Sequence, residues 1–369
     1  MSTQYTQSPP GVVIDHVPAS TESYVGSPSI VALSDGSYVA THDLFGPGTT
    51  YNTSRVFRST DRGETWSHAT DLEEAFWGGL FVHRDVLYLM GCSGRFGSMV
   101  IRKSEDGGST WSQPKDPSSG LLRDDGMYHT APMPVVEHDG RLWRAMEDMY
   151  PTVKWGVNFR ALIASADADK DLLSADSWTL TNPVACNTAW LDSTFGGWLE
   201  GNAVVNPAGG VVDMLRVDYR EGDGEYAAIV SISEDGREAG FREEDFVRFP
   251  GGCKKFSVRK DPVSDGYWTL SNIVAPGFEE YNVERTRNTL ALMRSKDLRD
   301  WTIASTVLHH EKVENHAFQY VDWQFDGDDI IVASRTAFDD GLGGAHNQHD
   351  ANFLTFHRIH NFRSAHEKN

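Results

Sequence analysis

This sequence contains few cysteines and fewer basic than acidic residues, and its first residues form no apolar run. Its 369 residues include three cysteines, Cys92, Cys186 and Cys253, which lie far apart and show no metal-ligand spacing. A disulfide framework is therefore not indicated. Lys and Arg number 33 against 53 Asp and Glu, which gives a formal net charge of −20. This balance disfavours nucleic acid and anionic membranes as partners, because both bind basic surfaces.

The beginning of the sequence also lacks an apolar run. The first residues, MSTQYTQSPPG, are polar. Neither a signal peptide nor a membrane span is predicted from them, and a cytoplasmic location is the expectation. No segment shows the 3.6-residue period of an amphipathic helix strongly enough to assign one. Helices are therefore not expected to shape the fold.

Two segments, 59–66 and 104–111, share the pattern S-x-D-x-G-x-x-W, known as the Asp-box. In such a turn the Asp side chain binds nearby backbone, Gly adopts a positive φ, and Trp covers the outside of the turn. Incomplete versions begin at Ser165, Ser233 and Ser295. A motif that recurs at corresponding points of similar segments indicates a structural repeat.

Six apolar hairpins alternate with these motifs, with turns near 34–37, 84–85, 138–140, 208–210, 264–266 and 326–328. One hairpin plus one Asp-box hairpin makes four strands, and a spacing of ~50–70 residues suits one propeller blade. The sequence predicts an all-β, single-domain β-propeller over 1–369, with six four-stranded blades. The alternative is seven blades, with the additional blade formed by residues 180–200 or by the termini. Segment 1–25 is expected to close the ring by pairing with 353–357.

One face of this propeller should carry the functional groups, because first strands begin there and second strands end there. His42, His129 and Tyr128 are the candidate proton-transfer residues. His42 is the leading catalytic candidate because it follows an apolar strand and precedes a Gly- and Pro-rich loop. The alternative is that it is only a polar residue at the end of a strand, without a catalytic role. The guanidinium group of arginine can bind a carboxylate through two parallel hydrogen bonds. The candidate substrate-binding residues are Arg216, Arg220, Arg287, Arg335, Glu200, Asn202, Lys254, His346 and His349.

No metal site and no cofactor are predicted. His346, His349 and Asp350 resemble a metal cluster, but they lie in a Gly-rich loop rather than at helical spacing. A calcium ion with a structural role, or one bound on the propeller axis, is kept as an alternative. The expected partner is an acidic oligosaccharide, and the expected state is a monomer or a small homo-oligomer.

With its Asp-boxes and repeated hairpins the chain resembles the sialidase-like propellers. Sialidases open their first inner strand with Arg-Ile-Pro-Ser, and this Arg belongs to a triad that binds the sialic acid carboxylate. The matching run here is Gly-Ser-Pro-Ser at 26–29, so that Arg is missing. The sequence also offers no convincing counterpart of the Asp general acid or of the Tyr–Glu nucleophile pair. Sialidase activity is therefore disfavoured.

Segments 26–30, 41–47, 196–202, 249–256 and 343–350 resemble a second group, bacterial and fungal propellers that act on L-rhamnose-α-1,4-D-glucuronate in arabinogalactan-type glycans. Some members are described as lyases and others as α-L-rhamnosidases, and their propellers have seven blades. The resemblance implies β-elimination at the uronate, with His42 as the proton-transferring histidine. Two alternatives stay open: an α-L-rhamnosidase-type glycoside hydrolase and a glycan-binding propeller without catalysis.

Overall fold

Six antiparallel sheets follow one another along the chain in the computed structural model, which describes residues 8–219 and 224–364. Strand β1 covers Val12–His16. Blade 1 contains β2 (Tyr24–Ala32), β3 (Tyr38–Phe45), β4 (Thr53–Ser59) and β5 (Ser67–Glu73). Blade 2 contains β6 (Phe76–His83), β7 (Val86–Cys92), β8 (Met99–Ser104) and β9 (Leu121–Arg123).

Blades 3 and 4 have the same plan, with some strands interrupted. Blade 3 contains β10 (Met127–His129), β11 (Val135–His138), β12 (Arg141–Met149), β13 (Phe159–Asp167), β14 (Trp178–Leu180) and β15 (Val184–Ala185). Blade 4 contains β16 (Phe195–Val205), β17 (Val211–Tyr219), β18 (Tyr226–Ile232), β19 (Ala239–Gly240) and β20 (Phe246–Arg248).

Blade 5 contains β21 (Ser257–Lys260), β22 (Tyr267–Asn272), β23 (Thr289–Ser295) and β24 (Trp301–His309). Blade 6 contains β25 (Ala317–Asp326), β26 (Asp329–Ala337) and β27 (Phe353–Ile359). Short helical turns cover Ala19–Thr21, Ala175–Ser177, Trp190–Ser193 and Glu243–Asp245. The predicted all-β propeller is confirmed, and the blade count is six. In the described part of the chain, no helix is long and apolar enough to cross a bilayer.

The last blade is completed by the first strand. β1 pairs antiparallel with β27, with Val12 opposite Phe356. Blades 6 and 1 are also joined by side chains, since the Tyr38 hydroxyl donates to Asp326 Oδ2 at 2.6 Å. Arg358 binds the same carboxylate at 2.7 Å. The two ends of the described chain therefore meet in one sheet and close the ring.

The two Asp-box segments form the turns that their residues predict. In the first, the Ser59 hydroxyl donates to Asp61 at 2.8 Å and accepts the N–H of Gly63 at 2.8 Å. Gly63 has φ +94°, and a Cβ there would lie 2.3 Å from the Phe356 ring. Glycine is needed at this corner both for its backbone conformation and for the contact with blade 6.

Inner strands are buried on both faces, because each blade packs between two neighbours. Every residue of β17 is buried, whereas most of the outer strand β24 is partly or fully exposed. One core cluster joins Met90 and Ile101 of blade 2 to Leu142, Met146 and Leu162 of blade 3. Polar residues on inner strands are therefore buried whichever face they occupy, and they must find partners there.

Candidate functional site

Blades 1, 2, 3, 4 and 6 together line a cavity of about 270 Å³. One part of its wall is charged or polar and another part is aromatic. The lining residues are Gly26, Ser27, Asp43, Phe45, Tyr51, Phe76, Trp77, Arg95, His129, Trp155, Glu200, Tyr320, Arg335 and His349. Residues from five separate repeats therefore converge on one space, as expected of a ligand site on a rigid scaffold.

Bulges in three inner strands supply side chains to this cavity. The strand register shifts between Phe76 and Gly79 in blade 2, between Leu199 and Asn202 in blade 4, and between Gln319 and Asp322 in blade 6. Within these bulges Trp77, Glu200 and Tyr320 have φ of +54°, +50° and +51°. Such values are costly for bulky residues and concentrate at functional sites. The bulges turn these side chains to line the cavity.

Asp43 is a buried carboxyl in the charged part of the wall. It accepts hydrogen bonds from the Ser54 hydroxyl at 3.1 Å and from the N–H groups of Trp77 at 2.8 Å and Ser27 at 3.3 Å. Burial outweighs these bonds and raises the pKa of Asp43 to about 7. A Cβ at Gly26 would lie 2.7 Å from the Asp43 carbonyl oxygen and 2.8 Å from Asp43 Cβ, so a larger residue at position 26 would collide with the backbone and Cβ of Asp43.

Glu200 and Tyr320 share one buried guanidinium. Arg216 Nη1 donates to Glu200 Oε2 at 2.9 Å and to the Tyr320 hydroxyl at 3.3 Å. Burial alone would raise the pKa of Glu200, but the charge and the hydrogen bond of Arg216 outweigh it and lower that pKa. Glu200 is therefore an anion at neutral pH, positioned beside a tyrosine that lines the same cavity.

Two further arginines flank Tyr320. The Arg335 guanidinium carbon lies 4.7 Å from the centre of the Tyr320 ring and 4.4 Å from that of Phe45. Arg287 lies 5.4 Å from the Tyr320 ring and donates to Gln319 at 2.6 Å. Burial lowers the pKa of Arg335 to about 10, so it stays charged. No described carboxylate forms an ion pair with Arg335; its nearest acceptor is the carbonyl of His349. Arg335 can therefore receive an anion.

His129 is oriented by a buried carboxylate. Its Nδ1 lies 2.8 Å from Glu147 Oε2, while Glu147 Oε1 accepts the N–H of Gly201 at 2.9 Å. Because a carboxylate accepts, Nδ1 carries the proton, and Nε2 is left for a ligand. The imidazole packs against Trp77 and Trp155, with ring centres 4.5 and 5.3 Å away.

His349 lines the cavity beside Arg335, with its Nδ1 2.8 Å from Asp350 Oδ1. Loss of solvent around the ring and the positive charge of Arg335 lower the pKa of His349. His349 is therefore neutral at physiological pH. Four of the predicted residues, His129, Glu200, Arg335 and His349, thus lie on the cavity wall, and Arg216 and Arg287 lie directly behind it.

His42, the leading candidate from the sequence, lies outside this wall. Its Nε2 is 2.9 Å from Asp15 Oδ2, and its Nδ1 is 2.8 Å from the carbonyl oxygen of Asp43. The imidazole is fully buried and stacks on Phe57. Burial raises the pKa of Asp15, but His42 and Arg55 outweigh it and hold that pKa well below its usual range. His42 thus connects blade 1 to β1, and the geometry favours its neighbour Asp43 for contact with a ligand.

Tyr128 is also directed away from the cavity. Its hydroxyl donates to Asp125 at 2.8 Å, and its ring belongs to the core between blades 2 and 3. Burial and the Asp125 hydrogen bond raise the pKa of Tyr128 to about 12. It remains a neutral core residue at physiological pH.

Besides Arg216 and Arg287, three of the predicted binding residues that the structure describes, Asn202, Lys254 and His346, do not line the cavity. Asn202 joins blades 4 and 5, since its amide donates to the Phe256 carbonyl at 3.3 Å and accepts the N–H of Val258 at 2.8 Å. Lys254 pairs with Glu225. His346 is exposed and packs on Tyr24, and Arg220 lies outside the described residues. Among the residues that the structure describes, no cluster of His, Cys, Asp and Glu could hold a metal ion.

Comparisons with solved structures give the same fold. No family model matches the sequence, and no curated protein matches it significantly. An α-L-arabinanase of Penicillium chrysogenum, complexed with arabinobiose, aligns over 96% of this chain and 98% of its own, with 16% identity and a TM-score of 0.60. An α-L-arabinofuranosidase of Fusarium graminearum with an iminosugar inhibitor aligns over 97% and 98%, with 10% identity and a TM-score of 0.61.

The third comparison is with the sialidase of Trypanosoma rangeli, bound to 2,3-difluorosialic acid as a covalent intermediate. It aligns over 99% of this chain and 59% of its own length, with 13% identity and a TM-score of 0.57. These proteins share the propeller fold of this chain, and at such identities the likeness extends to the fold alone.

Proposed function

We propose that this protein is a carbohydrate-active enzyme that hydrolyses a glycosidic bond beside an acidic sugar. The observation that carries the proposal is the convergence of Asp43, Glu200 and Tyr320 on one cavity that also contains the unpaired Arg335. Such a reaction needs a general acid, a nucleophile with a base that removes its proton, and a cation that binds the carboxylate of the substrate.

Asp43 is the proposed general acid. A carboxyl with a pKa of about 7 is largely protonated in weakly acidic solution and about half protonated at neutral pH, so it can give its proton to the departing oxygen. Its hydrogen-bond donors, Ser54, Trp77 and Ser27, fix the orientation of the group.

Tyr320 is the proposed nucleophile, and Glu200 is the base that removes its proton. Arg216 binds both groups, and it can stabilise the negative charge that develops on the phenol oxygen during attack. This assignment gives the chain the Tyr–Glu pair that its sequence alone did not reveal. It also supplies an Asp acid, which the resemblance to sialidases requires.

The proposed carboxylate contact is Arg335, supported by Arg216 and Arg287. Arg335 has no acidic partner among the described residues, and the aromatic rings of Phe45 and Tyr320 hold its guanidinium in place. It compensates for the Arg that the sialidase pattern has at position 26, where the close contact with Asp43 leaves room only for glycine.

A second candidate function is β-elimination at the glucuronate of rhamnosyl-glucuronate. The observation that favours it is the His129–Glu147 pair, because His129 lines the cavity and Glu147 occupies only its Nδ1, which leaves Nε2 as a potential base. In this reaction Arg335 would neutralise the uronate carboxylate and so acidify C5–H, and Tyr320 would protonate the leaving oxygen.

The test is incubation with rhamnosyl-glucuronate from gum arabic and, separately, with a fluorogenic sialoside. Free rhamnose and ultraviolet absorbance of a new C4–C5 double bond are followed together. Sugar release without absorbance is the expected result. Release with absorbance supports elimination, and saturable binding without any release contradicts both reactions and indicates a glycan-binding protein. Asp43→Asn should lose turnover, whereas the exposed control Asp169→Asn should keep it.

A further inference from the structure

The aromatic part of the cavity wall has no role in the proposed cleavage. We define the aromatic subsite as Tyr51, Phe76, Trp77, Arg95 and Trp155, all of which line the cavity. Trp155 is 40% exposed, and its ring faces His129 and Phe159 at 5.3 and 5.1 Å. Flat rings at the mouth of a cavity can pack against the apolar face of a ligand ring.

Three aromatic residues in or beside this subsite have a positive φ. Tyr51, Trp77 and the adjacent Phe96 have φ of +57°, +54° and +61°. For bulky aromatic residues this conformation is unfavourable, and it persists where the surrounding structure enforces it. The three rings belong to blades 1 and 2 and form one wall, in which Trp77 lies 5.7 Å from Phe96.

Arg95 is an exposed residue whose guanidinium packs on this wall. Its guanidinium carbon lies 5.1 Å from the ring centres of both Tyr51 and Phe96, and its backbone N–H donates to the Tyr51 carbonyl at 2.8 Å. None of the described residues gives its side chain a carboxylate or another hydrogen-bond partner. Two aromatic faces therefore position a guanidinium whose five N–H donors stay available.

The two unpaired arginines lie on either side of blade 1. Arg335 of blade 6 packs on Phe45, the last residue of the second strand of blade 1, whereas Arg95 of blade 2 packs on Tyr51 in the loop after that strand. Asp43 of blade 1 lines the same cavity, accepts the N–H of Trp77 in the aromatic subsite, and acts through its charge on Arg335. A ligand that contacts both arginines would therefore span blade 1 beside the proposed acid, where the scissile bond would lie.

We propose that the aromatic subsite binds the sugar on the far side of the scissile bond, and that this sugar carries an anionic substituent, a carboxylate or a sulfate, for Arg95. The inference rests on the proposed function for the position of the bond. It makes the substrate a glycan with acidic groups on two adjoining residues. Trp77 and Trp155 supply ring stacking, and Arg95 supplies the charged contact.

Binding is the test, because it needs no turnover. Tryptophan fluorescence titrations of the wild-type protein compare glucuronate, an unsulfated chondroitin disaccharide, its 6-sulfated form and digalacturonate. The sulfated disaccharide and digalacturonate, each with two acidic groups, should bind about tenfold or more tighter than the unsulfated disaccharide. Whichever of the two binds more tightly identifies the preferred anion.

Variants separate this subsite from the rest of the cavity. Arg95→Gln should abolish the preference for two acidic groups, while Arg248→Gln should keep it, since Arg248 is an exposed arginine over the Tyr226 ring outside the cavity. Trp155→Ala should weaken disaccharide binding and leave glucuronate binding unchanged. Equal affinity across the disaccharides, no binding of either doubly acidic one, or an unchanged preference in Arg95→Gln overturns the assignment. Hydrolysis that persists beside such a result leaves the proposed function standing.

Discussion

Replacing Asp43 with Asn should change how the stability of this protein depends on pH. In the unfolded chain this carboxyl titrates near 3.8, whereas burial raises its pKa in the folded protein to about 7. Between these values the folded state keeps a proton that the unfolded state has released. The stabilisation of the protonated group is therefore complete below pH 3.8 and is lost as the pH rises through about 7.

The magnitude follows from the difference between the two pKa values. At 1.36 kcal/mol for each pH unit, the wild-type protein should lose about 4 kcal/mol of unfolding free energy from this one group between pH 4 and pH 7.5. Asn is neutral throughout, so Asp43→Asn should not show this loss. Contributions from all other titrating groups are shared and cancel in the difference between the two proteins.

The assay is urea unfolding followed by tryptophan fluorescence at a series of pH values between 4 and 8. Relative to Asp43→Asn, the wild-type protein should become less stable with rising pH, with the steepest change about midway between the two pKa values and little further change above pH 7.5. Activity of the wild type should instead fall as the pH rises through about 7, because the proposed acid loses its proton in the folded protein. A stability difference that stays constant within about 0.5 kcal/mol would refute the argument that Asp43 has a raised pKa.

Four further substitutions have separate expected outcomes. Glu200→Gln should lower kcat by about 100-fold or more with little change in the Kd for an acidic sugar, measured by steady-state kinetics and titration. Arg335→Gln should raise that Kd about tenfold or more; an unchanged Kd would remove it from the carboxylate contact. Ser59→Ala leaves a buried N–H in the first Asp-box turn without its acceptor and should cost about 1–3 kcal/mol in urea unfolding, with full activity. His42→Gln should lower stability through the lost contact with Asp15 yet retain kcat, and a loss of turnover in folded protein would restore its catalytic assignment.

The blades were predictable because their signals are local. Alternating apolar residues, tight Asp–Gly turns and the S-x-D-x-G-x-x-W pattern each lie within a few neighbouring residues. The same turns locate strand ends and the loops between strands; of the residues predicted there, His129, Glu200, Arg335 and His349 line the cavity, while their roles stay predictions. Their convergence follows from the repeat, which brings equivalent ends of all inner strands to one face.

The orientation of individual side chains was less predictable. His42 and Asp43 are adjacent in β3, so strand alternation places them on opposite faces. Both faces of an inner strand are buried, and hydrophobicity therefore gives no indication of which face meets the cavity. The same pair of residues shows the consequence, because the structure places Asp43 on the cavity wall and His42 against Asp15.

A bulge explains why the sequence did not single out Tyr320, the proposed nucleophile. A bulge adds one residue to a strand and reverses the side-chain alternation beyond it. Tyr320 lies in such a bulge between Gln319 and Asp322, in a strand that mixes apolar and polar residues, so alternation alone does not tell which way its side chain faces. The positive φ in its backbone depends on tertiary packing, so the short sequence around it contains no signal for its exposure to the cavity.

Labelling by an activated 2-fluoro glycoside of an acidic sugar tests the proposed chemistry most directly. Such a compound is attacked by the nucleophile but leaves it slowly, so the glycosylated residue can be identified by mass spectrometry of peptides. We predict one glycosyl group on the peptide that contains Tyr320, and none in Tyr320→Phe. A label on a different residue, or substrate turnover with no label at all, would contradict the assignment of Tyr320 as the nucleophile.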